Sequence, residues 1–319
     1  MSDTKYFIGP MSRNITDAVI DFGEIFGLIP SRRQVDYNGG YVNNWNTETF
    51  VKHVNGRIVI ERDHAGASQG YVDDDGYTSL KTDCENNIDI IHIDPWIKYS
   101  KYQEGLRECI KNIEFCYSIN KHIKFEVATE EAIRKFGVAS LNSFLSDLES
   151  QLLPEIFSAI EYVAIQSGVG LNLGKRFNTG NFNPKNMEQL IAICKQFGKK
   201  SKEHNGDYLS DEGYKARFNL GLDSINIAPE FGQLETLCYL DEMGSEIEDF
   251  YQICYRSHRW KKWVSEDFIP EDNKRELIKI CGHYVLSDSE FLTIKPDIDD
   301  KIAKVIKNKL RSLNDLLDK

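Results

Sequence analysis

The sequence predicts an α/β fold of the (β/α)₈ TIM-barrel type with extra C-terminal helices, and three observations predict it. Short β-branched runs alternate with longer helical patterns up to about residue 255, the rhythm of parallel strands joined by helical crossovers. Several of those runs are apolar throughout, as expected of strands buried between a barrel interior and a helix layer. The first strand–helix turn lacks the G-x-G-x-x-G of a doubly wound open sheet, the main competing fold.

Taken in order, the strands are expected at Tyr6–Gly9, Leu28–Val35, Arg57–Arg62, Ile88–Asp94, Ile123–Ala128, Ile160–Gln166, Lys199–His204 and Asp223–Ile227. Helical patterns fill 14–26, 47–54, 103–120, 138–153, 184–197, 211–220 and 229–254. Residues 70–87 are polar and irregular around an Asp73-Asp74-Asp75-Gly76 turn, and read as a loop with a short helix. The seventh strand, Lys199-Lys200-Ser201-Lys202-Glu203-His204, is polar along its whole length and departs from the others. Beyond residue 255 the chain turns basic and aromatic over Arg256–Val264, then shows amphipathic helices at Pro270–Cys281 and Asp300–Leu317. Residues 1–255 are therefore read as the barrel. Residues 256–319 are read as a helical extension packed on it or at a subunit interface, with Trp260 and Trp263 as a candidate contact surface.

Composition narrows the function. A hydrophobic fraction of 41% supports a sizeable core, and 28% charged residues suit a hydrated surface. No apolar run reaches the roughly 18 residues of a membrane span, so no membrane partner is expected. Met1-Ser2-Asp3-Thr4-Lys5 leads directly into Tyr6-Phe7-Ile8 without a signal-peptide pattern, and a cytoplasmic location is expected. The net charge of −11 has the wrong sign for a nucleic-acid partner, so an anionic substrate would need locally placed cations. Seven cysteines without a CxxC pair read as reduced and buried, Cys109 and Cys116 as helix core.

In such a barrel the ligand site lies at the C-terminal strand ends. Those ends carry Gln34 and Asp36, Asp63-His64, His92 and Asp94, Glu126, Gln166, His204 with Asp207, and Asn226 with Glu230. A neutral histidine is a good divalent-metal ligand, and an adjacent carboxylate serves as base or orienter, which singles out Asp63-His64. His204 is a second candidate ligand, with His92 or Glu126 as a third; zinc is the first choice of metal. Glu126 and Asp94 are candidate catalytic acids, with a structural pair to Arg62 as the lesser reading of Glu126. Candidate substrate- and phosphate-binding residues are Arg32, Arg33, Gln34, His92, Gln166, Gly168, Lys175, Gly206, Asp207, Asn226 and Glu230. The glycine-rich stretch 167–176 and the helix start after the eighth strand are the expected anion cradles. Only one of Arg32 and Arg33 can point inward if both lie on a strand.

These stretches together resemble the Z-subunit family of class II tagatose-bisphosphate aldolases, relatives of the class II ketose-bisphosphate aldolases. The carriers are Gln34-Val35-Asp36-Tyr37-Asn38-Gly39-Gly40-Tyr41, Asp63-His64-Ala65-Gly66, Ile91-His92-Ile93-Asp94, Phe125-Glu126-Val127-Ala128-Thr129-Glu130, Gln166-Ser167-Gly168-Val169 and Glu203-His204-Asn205-Gly206-Asp207-Tyr208. They span roughly residues 28 to 240 in the family's order. The resemblance implies aldol chemistry on a phosphorylated or acidic ketose, with Asp63 as acid/base and His64 and His204 as ligands of a divalent metal. The catalytic relatives take a further histidine from the loop after strand six, which here reads Gln166-Ser167-Gly168-Val169-Gly170. Arg32-Arg33 also departs from the family's small polar residues and suggests a more anionic substrate. Three functions stand open: an aldolase-type lyase, a sugar-phosphate epimerase or isomerase, and a non-catalytic partner subunit of an aldolase. The chain would act as a homo-oligomer or beside a catalytic aldolase subunit.

Overall fold

The structure, a computed structural model, describes residues 4–23, 25–128, 137–165 and 170–317. Up to residue 164 the elements are β1 (Tyr6–Ile8), α1 (Arg13–Phe22), β2 (Phe26–Leu28), α2 (Thr47–Val54), β3 (Glu61–Ala65), α3 (Tyr77–Glu85), β4 (Ile90–Ile93), α4 (Tyr102–Ile119), β5 (Lys124–Ala128), α5 (Val138–Gln151), α6 (Pro154–Ala159) and β6 (Ile160–Ala164). A small hairpin of β7 (Leu171–Asn172) and β8 (Phe177–Asn178) precedes α7 (Pro184–Gln196), β9 (Lys200–Glu203), α8 (Asp211–Asn219), β10 (Ser224–Ile227) and α9 (Pro229–Glu242). The chain ends with α10 (Ile247–Ser257), α11 (Lys274–Cys281), α12 (Ser289–Ile294) and α13 (Asp299–Asn314).

Eight strands form one parallel sheet in the order β2-β1-β10-β9-β6-β5-β4-β3. Its two edges meet through the bridges Leu28↔Ile60 and Ser31↔Asp63, so the sheet curls into a nearly closed (β/α)₈ barrel. Local chemistry starts the helices where the sequence places them. Ser12, Asn46, Asn183 and Ser210 each accept a first-turn backbone N–H, and Pro184 and Pro229 sit where a missing N–H costs nothing.

Two strands lie elsewhere than expected. The second is β2 rather than Leu28–Val35, because Pro30 lacks a donor and residues 31–35 fold into a turn in which Gln34 and Val35 donate to the Ser31 carbonyl. The third begins at Glu61 rather than Arg57, since Asn55 and Gly56 adopt left-handed backbone that delays the strand. The polar seventh strand is β9, a full member of the barrel. One expected helix, 229–254, is two: α9 and α10.

The extension folds against the barrel. Ile302, Ile306, Leu310 and Leu313 form a helical stripe on α13, all buried in the core shared with α1 and α9, and the Tyr6 hydroxyl donates to the Leu313 carbonyl at 3.1 Å. The expected boundary, between residues 255 and 256, lies inside α10. Trp260 is not a contact surface: it is buried and stacks on Tyr255 at 5.9 Å. All seven cysteines are buried thiols. No helix among the described residues is long and apolar enough to cross a membrane.

Candidate functional site

Strand alternation sorts side chains between the barrel interior and the helix layer. On β9, Ser201 and Glu203 turn outward to Asp223 and Arg217, which sends Lys202 and His204 inward. Register then aligns His92 of β4 with Glu126 of β5. Strict alternation would separate Asp63 from His64, yet both join this interior group. The register of β3 against β4 slips between Arg62 and Ala65, and His64 takes a φ of 44°. The resulting bulge turns two consecutive side chains to one mouth, at a strain cost on the order of 1 kcal/mol.

Three imidazoles meet there. Their centroids lie 4.7 Å apart for His64–His92, 4.9 Å for His92–His204 and 5.3 Å for His64–His204. One ligand atom from each of Asp63, His64, His92 and His204 falls within 4.8 Å of the others. Asp94 Oδ2 lies 2.6 Å from His64 Nδ1, and Glu126 Oε1 lies 2.6 Å from His204 Nε2. A carboxylate on the far ring nitrogen orients an imidazole and raises its basicity toward a metal. His92 Nε2 is buried and has no hydrogen-bond partner among the described residues. Burial would push the Asp63 carboxyl up, but the His64 charge and the neighbouring His92 and His204 imidazoles hold it well below the ordinary carboxylate range. Three half-buried to buried imidazole nitrogens converging beside a carboxylate fit a divalent metal, which His64, His92 and His204 would hold while Asp63 stays beside it.

Beneath this centre lies a buried ion group. Lys202, fully buried, pairs closely with Glu61 and at 2.9 Å with Glu126, and its ammonium sits 3.6 Å over the Phe7 ring. Burial and the Glu126 charge push the Glu61 carboxyl well above its ordinary value. Burial acts on Glu126 too, but the Lys202 and His204 charges hold it well below. Glu126 thus answers Lys202, and Arg62 faces outward to Asp83, 2.7 Å away. The sequence reading omitted Lys202 and Glu61. The signal for Lys202 was its two-residue spacing from His204 on one strand face.

The expected substrate-binding residues divide. Asn226 faces the interior, 6% exposed, with both amide atoms unpartnered among the described residues, and offers a donor and an acceptor. Arg32, expected to bind an anion, is engaged structurally: it pairs with Asp36 at 2.9 Å and Asp74 at 2.6 Å and donates to the Gly66 carbonyl. Gln34 ties its own turn, accepting from Ser31 N and contacting Met11 Sδ. Gly206 serves packing, since a Cβ there would stand 2.2 Å from Ile225 Cγ2. The expected cradle at the start of α9 is filled from within: Asp207 Oδ1 accepts from Ala228 N at 3.0 Å and Glu230 N at 2.7 Å. Burial and the Glu230 charge push the Asp207 carboxyl up to about 7, and Glu230 itself pairs with Lys309 at 2.6 Å. A phosphate would meet acid there. In the glycine-rich stretch, Asn178 Oδ1 takes the Gly170 and Gly180 N–H groups, and Lys175 is exposed beside the hairpin. Gln166 and Gly168 lie outside the described residues. Arg33 is exposed, with Nε 3.4 Å from the Gly70 carbonyl.

No protein-family model and no curated protein sequence matches this chain. Solved structures share its fold. A probable tagatose 6 phosphate kinase from Sinorhizobium meliloti superposes with a TM-score of 0.72 at 13% identity, covering 95% of this chain and 87% of that one. The fructuronate-tagaturonate epimerase UxaE from Cohnella laeviribosi, complexed with two glycerols, gives 0.64 at 11% identity, covering 99% and 82%. The fructose-bisphosphate aldolase from Campylobacter jejuni gives 0.56 at 11% identity, covering 98% and 90%. At these identities the likeness is one of fold.

Proposed function

We propose that this chain is a metal-assisted enzyme of sugar metabolism that removes a proton next to the carbonyl of a phosphorylated or acidic ketose. The observation that carries the reading is the convergence of Asp63, His64, His92 and His204 on one point at the strand ends. A divalent metal held there would polarise the substrate carbonyl and lower the cost of negative charge beside it. The chain's own groups do the rest. Asp63 holds an ionised carboxylate at the mouth and is the proton acceptor. Asp94 and Glu126 fix the rings of His64 and His204, and Asn226, whose amide atoms have no partner among the described residues, would hold a substrate hydroxyl.

Proton removal next to a carbonyl is the step that aldol cleavage and sugar epimerisation share, and fold neighbours are named for both reactions. The resemblance to the aldolase Z-subunit family supports the same chemistry. A non-catalytic subunit is the weaker reading, because His92 supplies a third imidazole where the loop after the sixth barrel strand has none. A scaffold needs no such centre.

Metal analysis of the purified protein, with His64→Ala and His92→Ala as controls, tests the centre. About one divalent ion per chain is expected in the wild type, with loss in both variants. Incubation with dihydroxyacetone phosphate in deuterated water then reads proton exchange. A metal-loaded chain that exchanges no proton with this or any acidic ketose would overturn the enzyme reading.

A further inference from the structure

We propose that Arg33, Arg259 and Lys262 form a phosphoryl-binding subsite at the rim of the barrel mouth, built jointly by the loop after β2 and the C-terminal extension. The location follows from the seam between β2 and β3. Ser31 bridges Asp63, so Arg33, two residues on, leaves the rim beside the histidine centre. The extension brings its cations to the same loops. The Arg259 guanidinium lies 5.0 Å from the Tyr41 ring centre, 4.9 Å from Tyr71 and 5.4 Å from Tyr284. Lys262 Nζ stands 4.5 Å from the Trp263 ring centre and 5.8 Å from Tyr284.

These rings hold the cations by their faces and supply no negative charge. Among the described residues, none of the three cations forms an ion pair with a carboxylate, whereas Arg32 beside them has two. Partial desolvation among the rings, then the Arg33 and Arg259 charges, draw the Lys262 ammonium down to about 8 although the side chain still reaches solvent. Below them His283 is fully buried, and neither ring nitrogen has a partner among the described residues. Its own burial and the Lys262 and Arg259 charges hold it neutral, at about 3. In a chain of net charge −11, three unpaired cations gathered over an unsatisfied imidazole are a preformed counter-charge for a dianion. The α9 start cannot take this role, because Asp207 already occupies its amides.

The subsite rests on the proposed reading only in naming a sugar phosphate as the source of the phosphoryl group; the binding itself is tested separately. The probe is inorganic phosphate, titrated into the full chain by calorimetry at constant ionic strength against chloride. Saturable binding is expected, weakened roughly ten- to a hundredfold by Arg259→Met and by the double variant Arg33→Gln/Lys262→Gln. The double variant alters only exposed side chains, so it keeps the test valid if Arg259→Met unfolds. In parallel, Lys262 should acetylate readily at pH 8, and phosphate should slow it several-fold more than chloride does. Absence of phosphate binding, protection matched by chloride, or unchanged affinity in the double variant overturns the subsite. His64→Ala should bind phosphate within about twofold of wild type. Phosphate binding by a wild-type chain that takes up no divalent metal would end the enzyme reading and leave the subsite standing. A loaded centre with phosphate affinity indifferent to these substitutions would do the reverse.

Discussion

Two carboxyl groups touch the buried Lys202, and they should respond very differently to the same substitution. Burial and the neighbouring Glu126 push Glu61 toward its protonated form, while Lys202 and His204 hold Glu126 toward its ionised form. Glu61→Gln replaces one neutral group by another of nearly the same shape and leaves the Lys202–Glu126 pair intact. Its cost should stay below about 1 kcal/mol. Glu126→Gln removes the ionised partner 2.9 Å from a fully buried ammonium, and losing one member of a buried pair costs about 3–5 kcal/mol. Glu61 can recover part of this by giving up its proton, so the lower end is the firmer expectation. At about 2.1 cal/mol/K per residue, a chain of 319 residues has an unfolding entropy near ~0.7 kcal/mol/K. The two variants should therefore lower Tm by under ~2 °C and by roughly 5–7 °C respectively. Thermal unfolding followed by circular dichroism at pH 7 reads the difference. Equal losses, or a larger loss for Glu61→Gln, would show that the proton has been placed on the wrong carboxyl.

Two further substitutions separate structural from functional groups. Arg32→Met strands the buried Asp36 and should cost about 3–5 kcal/mol in a denaturant melt, yet leave phosphate affinity within twofold, because this guanidinium is already saturated. A loss of phosphate binding with unchanged stability would reverse that assignment. Asp207 carries its proton in the folded state up to about 7, against an ordinary 3.8, so it favours folding at low pH and loses that contribution as pH rises from about 4 to 7. Asp207→Asn keeps an oxygen for the Ala228 and Glu230 amides but removes the titration. The wild-type Tm should fall relative to the variant across that window, and parallel curves would refute the shift.

Much of the barrel was legible because its crossovers are local. Eight runs with turn chemistry between them need no knowledge of distant contacts, and β4, β5, β6, β9 and β10 fall where the pattern puts them. The seam between β2 and β3 was not legible, since its pairing rests on isolated bridges around Pro30 rather than a continuous ladder. The site was legible in its members and not in its wiring. His92 and Glu126 were equal candidates for a third metal ligand, and sequence could not choose, because the decision belongs to Lys202, 76 positions beyond Glu126 and fully buried. Likewise the start of α9 looks open to an anion until Asp207 arrives from the preceding loop to cap it. That carboxylate is nonlocal to the helix it serves.

The polar strand β9 is the case in which a breach of the hydrophobic pattern carried information. A core strand can be polar only if every polar group finds a partner, since a buried unpaired charge costs several kcal/mol. On the outer face, Ser201 is answered by Asp223 and Glu203 by Arg217. On the inner face, Lys202 is answered by Glu61 and Glu126, and His204 by Glu126. Those partners come from β3, β5, α8 and the turn before β10, so no window of sequence around β9 contains enough to justify its burial. Wiring of this extent is costly if its only purpose is stability, because an apolar strand would fill the same place with less desolvation. Its inner face instead runs from the ion group to the imidazole of His204, 2.6 Å from the carboxylate that Lys202 keeps charged. The arrangement fixes a negative oxygen on the far side of a candidate metal ligand, which is the one task an apolar strand cannot perform.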